Sequence, residues 1–345
     1  LLALRLPLHY SDGAAMACAP IFLLQESAMT ATNVPLSALP SITLVLGQAV
    51  QNAYAAFDGG STTSIAGWTL QGQITGWDGV FVFGGAEELF ALIYQNASNS
   101  GQYLIAFRGT ASKDDVFKDL EAPTTAFIAV DGSKPDVDVH EGFFGIYHDI
   151  GGSMTASMQA QLFQWIDANA AGISQLYITG HSLGSSLAEL FTFDLALAQP
   201  AFSFATIDWA APRVGTRKWI AAYNGNALTA QTIRIVNSHD VVPDLPPATI
   251  LDEYGQVANE ALVAFENHTT VIDPLTLVLI RHSMDNYLTV ITHALTGSAP
   301  LWPFDFADAI SSGVTDRADL PQAQHAAGRA GLIATVRAEH GGRLR

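Results

Sequence analysis

Cysteine is nearly missing from this chain: Cys18 is the one thiol in 345 residues. An intrachain disulfide needs two, so stability must come from packing, and a zinc site built from cysteines is excluded as well. Basic residues are also scarce, with 15 Lys and Arg against 32 Asp and Glu, a formal net charge of −17. Nucleic acid and anionic headgroups both need a cationic surface, so neither is an expected partner. Charged residues of both signs reach only 14%, against about 25% in an average soluble chain. With 49% of residues hydrophobic, disorder is excluded for most of the length. The apolar residues are nevertheless interrupted, and no run approaches the ~18 that span a bilayer, so no integral membrane segment is expected.

The two ends differ from the middle. Residues 1–30 read as an N-terminal extension in which Arg5, His9 and Asp12 break any apolar signal region. A processed leader and a vector-derived stretch are both open readings for it. Residues 316–345 hold five arginines and three acids, are rich in Ala and Gly, and lack apolar periodicity. They read as a basic, poorly structured appendage rather than an interaction arm. Residues 31–315 are expected to form one domain.

Within that domain Leu44, Ala49, Val50, Ala53, Tyr54 and Phe57 recur at helical spacing and stop at Asp58-Gly59-Gly60. Residues 68–77, 80–83, 89–94 and 103–107 have the composition of strands, and 145–170 reads as one long helix. Strands at 176–179, 204–207 and 232–236 then alternate with helices at 183–197 and 216–223. Such alternation predicts an α/β fold, a central and mostly parallel sheet with helices on both faces.

One pentapeptide points to chemistry. Gly180-His181-Ser182-Leu183-Gly184 is the single G-x-S-x-G pattern in the chain, and it lies between an expected strand and an expected helix. A serine on a tight strand-to-helix turn has its Oγ exposed as a nucleophile, and flanking glycines let strand and helix approach closely. The Leu183 amide would then point from a helix N-terminus toward a developing oxyanion. The serine needs a general base, and a neutral imidazole is the usual one. His181 adjoins Ser182 and reads as a packing residue under the turn. A base well downstream leaves His239, His268, His282 and His293. An acid to orient the base fits Asp240, in the loop after the 232–236 strand, with Asp244 in the same loop as the alternative and Asp208 as a structural residue.

Five motifs occur in order: Phe107-Arg108-Gly109-Thr110, His140-Glu141-Gly142-Phe143, the pentapeptide, Ala211-Pro212-Arg213-Val214-Gly215, and His239-Asp240-Val241-Val242-Pro243. Over roughly residues 40 to 298 the chain resembles the class 3 (fungal-type) lipases, which are α/β-hydrolases. The resemblance implies a catalytic triad of Ser182, Asp240 and His282, with His268 as runner-up; His282 opens a helix-like stretch to Tyr287 that resembles the family's His-then-Tyr element. It implies Thr110 and Leu183 as the oxyanion hole, and neither a metal nor an organic cofactor.

The resemblance also implies a lid helix over residues 111–121. Val116, Phe117 and Leu120 would form its apolar edge, with Lys113, Asp114, Asp115, Lys118 and Asp119 opposite; a fixed surface helix is the other reading. The family's common lid tryptophan is replaced by Val116 or Phe117, although Asp119 is retained. Ser185 and Ser186 stand where the family has a small Gly/Ala pair, which puts the packing of the following helix in question. Lacking the disulfides of secreted fungal members, the chain looks closer to a bacterial branch; secretion is the expectation from family habit. The implied function is a serine carboxylester hydrolase, foremost a triacylglycerol lipase, taking a neutral lipid or ester through transient contact with a lipid–water interface. The alternatives are a short-chain or feruloyl-type esterase, a phospholipase A1, or a silent lipid-binding relative.

Overall fold

The computed structural model describes residues 34–79, 82, 84–110, 123–246, 254–257, 259–263, 265 and 274–298. The 1–30 extension, the expected lid at 111–121, His268 and the 316–345 tail therefore lie outside the described residues. In chain order the elements are α1 (Thr43–Phe57), β1 (Trp68–Asp78), β2 (Ala86–Asn96), β3 (Gln102–Phe107), β4 (Thr124–Ala126), β5 (Asp138–His140), α2 (Glu141–His148) and α3 (Met158–Asn169). They continue with β6 (Gln175–His181), α4 (Leu183–Ala198), β7 (Ser203–Trp209), α5 (Arg217–Gly225), β8 (Thr232–Asn237), β9 (Glu260–Val263), α6 (Pro274–His282) and α7 (Met284–Thr296).

Seven strands form the main sheet in the order β1-β2-β3-β6-β7-β8-β9, and β4 pairs with β5 separately. The first two pairings are antiparallel, and the four that follow are parallel. The expected α/β architecture is present. Alternation along each strand divides the core in two. Tyr103, Ile105 and Phe107 of β3 pack with apolar residues of α2, α3, α4 and α5, whereas Leu104 and Ala106 pack with those of α1 and α7. Large side chains such as Trp209, Trp219 and Phe107 are fully buried, each worth about 1.5–3 kcal/mol or more of transfer free energy.

Two elements bring remote side chains to the C-terminal end of the sheet. α4 is buried continuously from Leu183 to Leu195, so the helix after the pentapeptide is locked against the sheet rather than laid on its surface. α1 approaches closely because Gly47 has no side chain: a Cβ there would lie 2.6 Å from Leu288 and 3.2 Å from Trp209. That approach sets Tyr54 over the end of β6.

Three expectations change. Residues 145–170 are not one helix, because α2 ends at His148 and α3 starts at Met158. Between them Gly151 and Gly152 lie against the indole of Trp77 on β1, where any Cβ would collide, and Gly152 has φ +56°. Ser157 then caps α3 by accepting the Ala160 amide at 3.1 Å. The break thus follows from tertiary packing on Trp77. Of the strand expected at 80–83, Val82 is in a bend that leads into Gly84 and Gly85, both at positive φ; residues 80, 81 and 83 lie outside the description. His282 closes α6 rather than opening a helix. Among the described residues no helix is long and apolar enough to cross a membrane.

Candidate active site

The pentapeptide forms a sharp turn. β6 ends at His181, α4 begins at Leu183, and Ser182 between them has φ +57° and ψ −130°. A side-chain-bearing residue in such backbone costs on the order of 1–3 kcal/mol and persists only where its surroundings hold it. Here the Ser182 amide donates to the Trp209 carbonyl at 3.0 Å. The Ser185 hydroxyl reaches the carbonyls of Gly180 at 2.7 Å and Trp209 at 2.9 Å, and accepts the Trp209 amide at 3.2 Å. The packing question raised by Ser185 is thereby answered: its hydroxyl braces the turn from behind. Neither glycine can be replaced without displacement, since a Cβ on Gly180 would strike the Gly184 carbonyl and one on Gly184 the carbonyls of Phe107 and Arg108. As the first residue of α4, Leu183 has an N–H with no acceptor inside the helix, at the positive end of the helix dipole.

Asp240 and His282 meet. Asp240 is fully buried in the turn after β8. Its Oδ1 accepts the Val242 amide at 3.0 Å, while Oδ2 is 2.7 Å from His282 Nδ1 and accepts Tyr287 Oη at 2.9 Å. A carboxylate only accepts, so Nδ1 of His282 carries the proton and Nε2 of the neutral ring keeps its lone pair. Among the described residues Nε2 has no hydrogen-bond partner. The ring centroid lies 4.7 Å from that of His181, the chain neighbour of Ser182, which puts His282 beside the turn.

The backbone of His282 is fixed too. Helix ends leave their last carbonyls without partners, and three side chains take those of α6. Asn286 Nδ2 donates to the Ile280 carbonyl at 2.9 Å, Asn237 Nδ2 to that of Arg281 at 3.0 Å, and His181 Nε2 to that of His282 at 2.7 Å.

Thr110 follows β3 on a segment pressed against the same turn. A Cβ on Gly109 would collide with Tyr54 Oη, the His181 carbonyl and the Ser182 Cβ, so only glycine lets this segment come so near. Arg108 holds its geometry. The guanidinium donates to the Gly109 carbonyl at 2.8 Å and the Leu89 carbonyl at 2.6 Å, pairs with Glu88 at 2.5 Å, and stacks over the rings of Phe57 and Phe90. Tyr54 Oη lies against Gly109 and 2.9 Å from His181 Nδ1. Burial pushes the Tyr54 phenol above its usual range. Burial, and then the neighbouring His282, hold His181 well below the usual imidazole range, so it is neutral near pH 7.

The remaining candidates are elsewhere or otherwise engaged. Asp244 faces Arg213 at 3.6 Å. His239 donates its amide to Asn237 Oδ1, and His293 sits in the last turn of α7. Asp208 is fully buried on β7, and neither of its oxygens has a hydrogen-bond partner among the described residues. Sequence reasoning overlooked Tyr54, Asn237 and Asn286. For Asn237 a signal existed, an amide side chain at the end of a strand three residues before the acid, where turn-forming hydrogen bonds are common.

Comparison with known proteins agrees with this geometry. Residues 104–250 match the sequence model of the class 3 lipases. A lipase of Rhizomucor miehei is 29% identical over 161 residues, which cover 46% of this chain and 41% of that protein. Phospholipase A1-II 6 of Oryza sativa subsp. japonica is 26% identical over 218 residues, 57% of this chain and 52% of the relative. The chain therefore spans about half the length of the curated relatives it matches. Among solved structures, Lip2 lipase from Yarrowia lipolytica aligns with a TM-score of 0.52 at 20% identity, covering 65% of this chain and 77% of that one; the likeness is one of fold, the α/β-hydrolase. The likeness to the class 3 lipases is thus carried by the segment from residue 104 to 250.

Proposed function

We propose that this chain is a serine carboxylester hydrolase acting on triacylglycerols, with residues 31–315 as its catalytic domain. The observation that carries the proposal is the Asp240–His282 pair, at 2.7 Å, set beside a strained Ser182. In this mechanism Ser182 Oγ attacks the ester carbonyl as His282 Nε2 takes its proton, and Asp240 holds the ring and stabilises the imidazolium. The carbonyl oxygen becomes an oxyanion held by the amides of Leu183 and Thr110, each such donor contributing about 3–4 kcal/mol to the transition state. Collapse breaks the C–O bond, and His282 returns the proton to the leaving alcohol. Water, deprotonated by the same nitrogen, then cleaves the acyl-enzyme to a free fatty acid and regenerates the serine.

Ser182 is 6% exposed and His282 4%, so a substrate reaches them only after part of the surface moves aside. The net charge of −17 favours neutral esters over anionic lipids. The match to a rice phospholipase A1 supports a second reading, hydrolysis of one acyl chain of a zwitterionic phospholipid.

The test is the initial hydrolysis rate on tributyrin taken through its solubility limit, alongside phosphatidylcholine vesicles, with Ser182→Ala as the blank. A rate that jumps once droplets form is the expected result. Saturation below the limit would make the enzyme an esterase of short-chain or feruloyl type, and cleavage confined to vesicles would favour the phospholipase. Equal rates for wild type and blank on every ester would overturn the enzymatic reading.

A further inference from the structure

We propose that Tyr54 and His181 are positioning residues that join the peptide bearing the Thr110 amide to the backbone of His282, holding oxyanion donor and general base in one register. The proposal rests on the roles given to Ser182, His282 and Thr110 above and extends them to two residues that touch no substrate.

Proton accounting gives the bridge one direction throughout. The carbonyl of His282 can only accept, so the 2.7 Å contact requires a proton on His181 Nε2. The ring is neutral, so Nδ1 is left as an acceptor, and the 2.9 Å contact is a donation from Tyr54 Oη. The phenol oxygen also lies against Gly109, where a Cβ would come within 2.4 Å of it. The chain thus runs from the packing of Gly109 on the Tyr54 oxygen, through Tyr54 O–H to His181 Nδ1, and from His181 Nε2–H to the carbonyl of His282.

Its two ends are where positional error is costly. Gly109 and Thr110 share a peptide plane, and in a trans peptide the Gly109 C=O and Thr110 N–H point in opposite directions. Arg108 pins that carbonyl at 2.8 Å while the Tyr54 oxygen closes against Gly109 itself, so the direction of the Thr110 N–H is set before substrate arrives. At the far end, His181 donates to the last α6 carbonyl, that of the base itself. The ring of His181 also lies against that of His282, tilted by 36° with centroids 4.7 Å apart. Preorganisation of this kind acts on transition-state charge rather than on ground-state binding.

Tyr54→Phe removes only the Oη. With p-nitrophenyl butyrate the variant should lose about tenfold or more in kcat with KM unchanged, since one hydrogen bond in a buried network is removed. Affinity for a boronic acid that mimics the tetrahedral state should fall by a similar factor. His181→Leu should behave alike, and His181→Gln, which keeps an N–H donor for the His282 carbonyl, should recover part of the loss. The Tyr54→Phe and His181→Leu effects should be less than additive, as expected of one chain. A variant with wild-type kcat and boronate affinity but a lower melting temperature would overturn the proposal and leave Tyr54 a packing residue. If Tyr54→Phe fails to fold, the Leu-to-Gln recovery at position 181 decides the matter, and its absence overturns the proposal. Reaction of wild type with a fluorophosphonate, blocked in Ser182→Ala, reads the underlying mechanism separately; a wild type that takes no label removes that mechanism and this proposal with it.

Discussion

Tyr287 and Asp240 are joined by a bond that also ties the acid to its own strand: Tyr287 Oη donates to Asp240 Oδ2 at 2.9 Å and accepts the Asn237 amide of β8 at 2.7 Å. The phenol shares that carboxylate oxygen with His282 Nδ1, so it restrains the acid without displacing the base. A hydrogen bond to a charged group contributes roughly 1.5–3 kcal/mol. Tyr287→Phe is therefore expected to lower kcat on p-nitrophenyl butyrate by about tenfold to a hundredfold with little change in KM. An unchanged kcat would show that the backbone amide of Val242 suffices to hold the acid.

Asn237 uses its whole side chain. Nδ2 donates to the carbonyls of Phe265 at 2.9 Å and Arg281 at 3.0 Å, and Oδ1 accepts the amides of His239 and Phe265. Asn237→Asp keeps the shape but turns an oxygen toward two carbonyls, so it is expected to be more destabilising than Asn237→Ala, which leaves those groups only unsatisfied at about 1–3 kcal/mol each. Urea titration ranks the two variants, and a more stable aspartate variant would contradict the assignment.

The pentapeptide glycines are tested most sharply at Gly184, whose absent Cβ makes room for the Phe107 and Arg108 carbonyls. Backbone cannot yield as a flexible side chain can. Gly184→Ala is expected to cost more than 3 kcal/mol, on the order of the largest single-residue effects, and to drive β3 from the turn. Soluble yield, melting temperature and fluorophosphonate labelling together check this; near wild-type labelling would refute it.

Stability should fall as pH rises, through a pair of acids outside the site. Glu189 on α4 is buried with Oε1 unpartnered among the described residues, and burial pushes its carboxyl up to about 8 from an ordinary 4.5. Asp208 is raised as well, by burial and by Glu189, with Arg234 opposing. Between about 4.5 and 8 the folded state keeps a proton that the unfolded chain has released, so this stability is full at the acid end and is lost as pH passes through about 8. Glu189→Gln should flatten the decline in melting temperature over that interval and raise the value at pH 8. An unaltered slope would rule the pair out as its source.

The legible parts of the molecule were those whose cause is local. A unique G-x-S-x-G between an apolar strand and a helical run announced the turn at Ser182, because sterics within five residues dictate it. The parallel strands could be read because their burial on both faces leaves short apolar runs. The break between α2 and α3 could not, since its cause is the Trp77 indole on a remote strand. Tyr54 looked like one more apolar-face residue of α1, and its partner His181 is 127 positions away. Ser185 was visible but only as a departure from the family, because the carbonyls it braces come together only in the folded sheet.

The strained turn also has a kinetic consequence. Its supports come from far along the chain: the bond from Ser182 is to Trp209 of β7, and His181 reaches His282 across 101 residues. Helices recover quickly on local contacts, whereas pairings of such sequence separation form late because loop closure must precede them. Under the proposed function, ester cleavage would serve as a clock for the final stage of assembly. On refolding from urea, far-ultraviolet circular dichroism should return ahead of activity, and the interval between the two traces times the arrival of α6 and α7 against a sheet already formed.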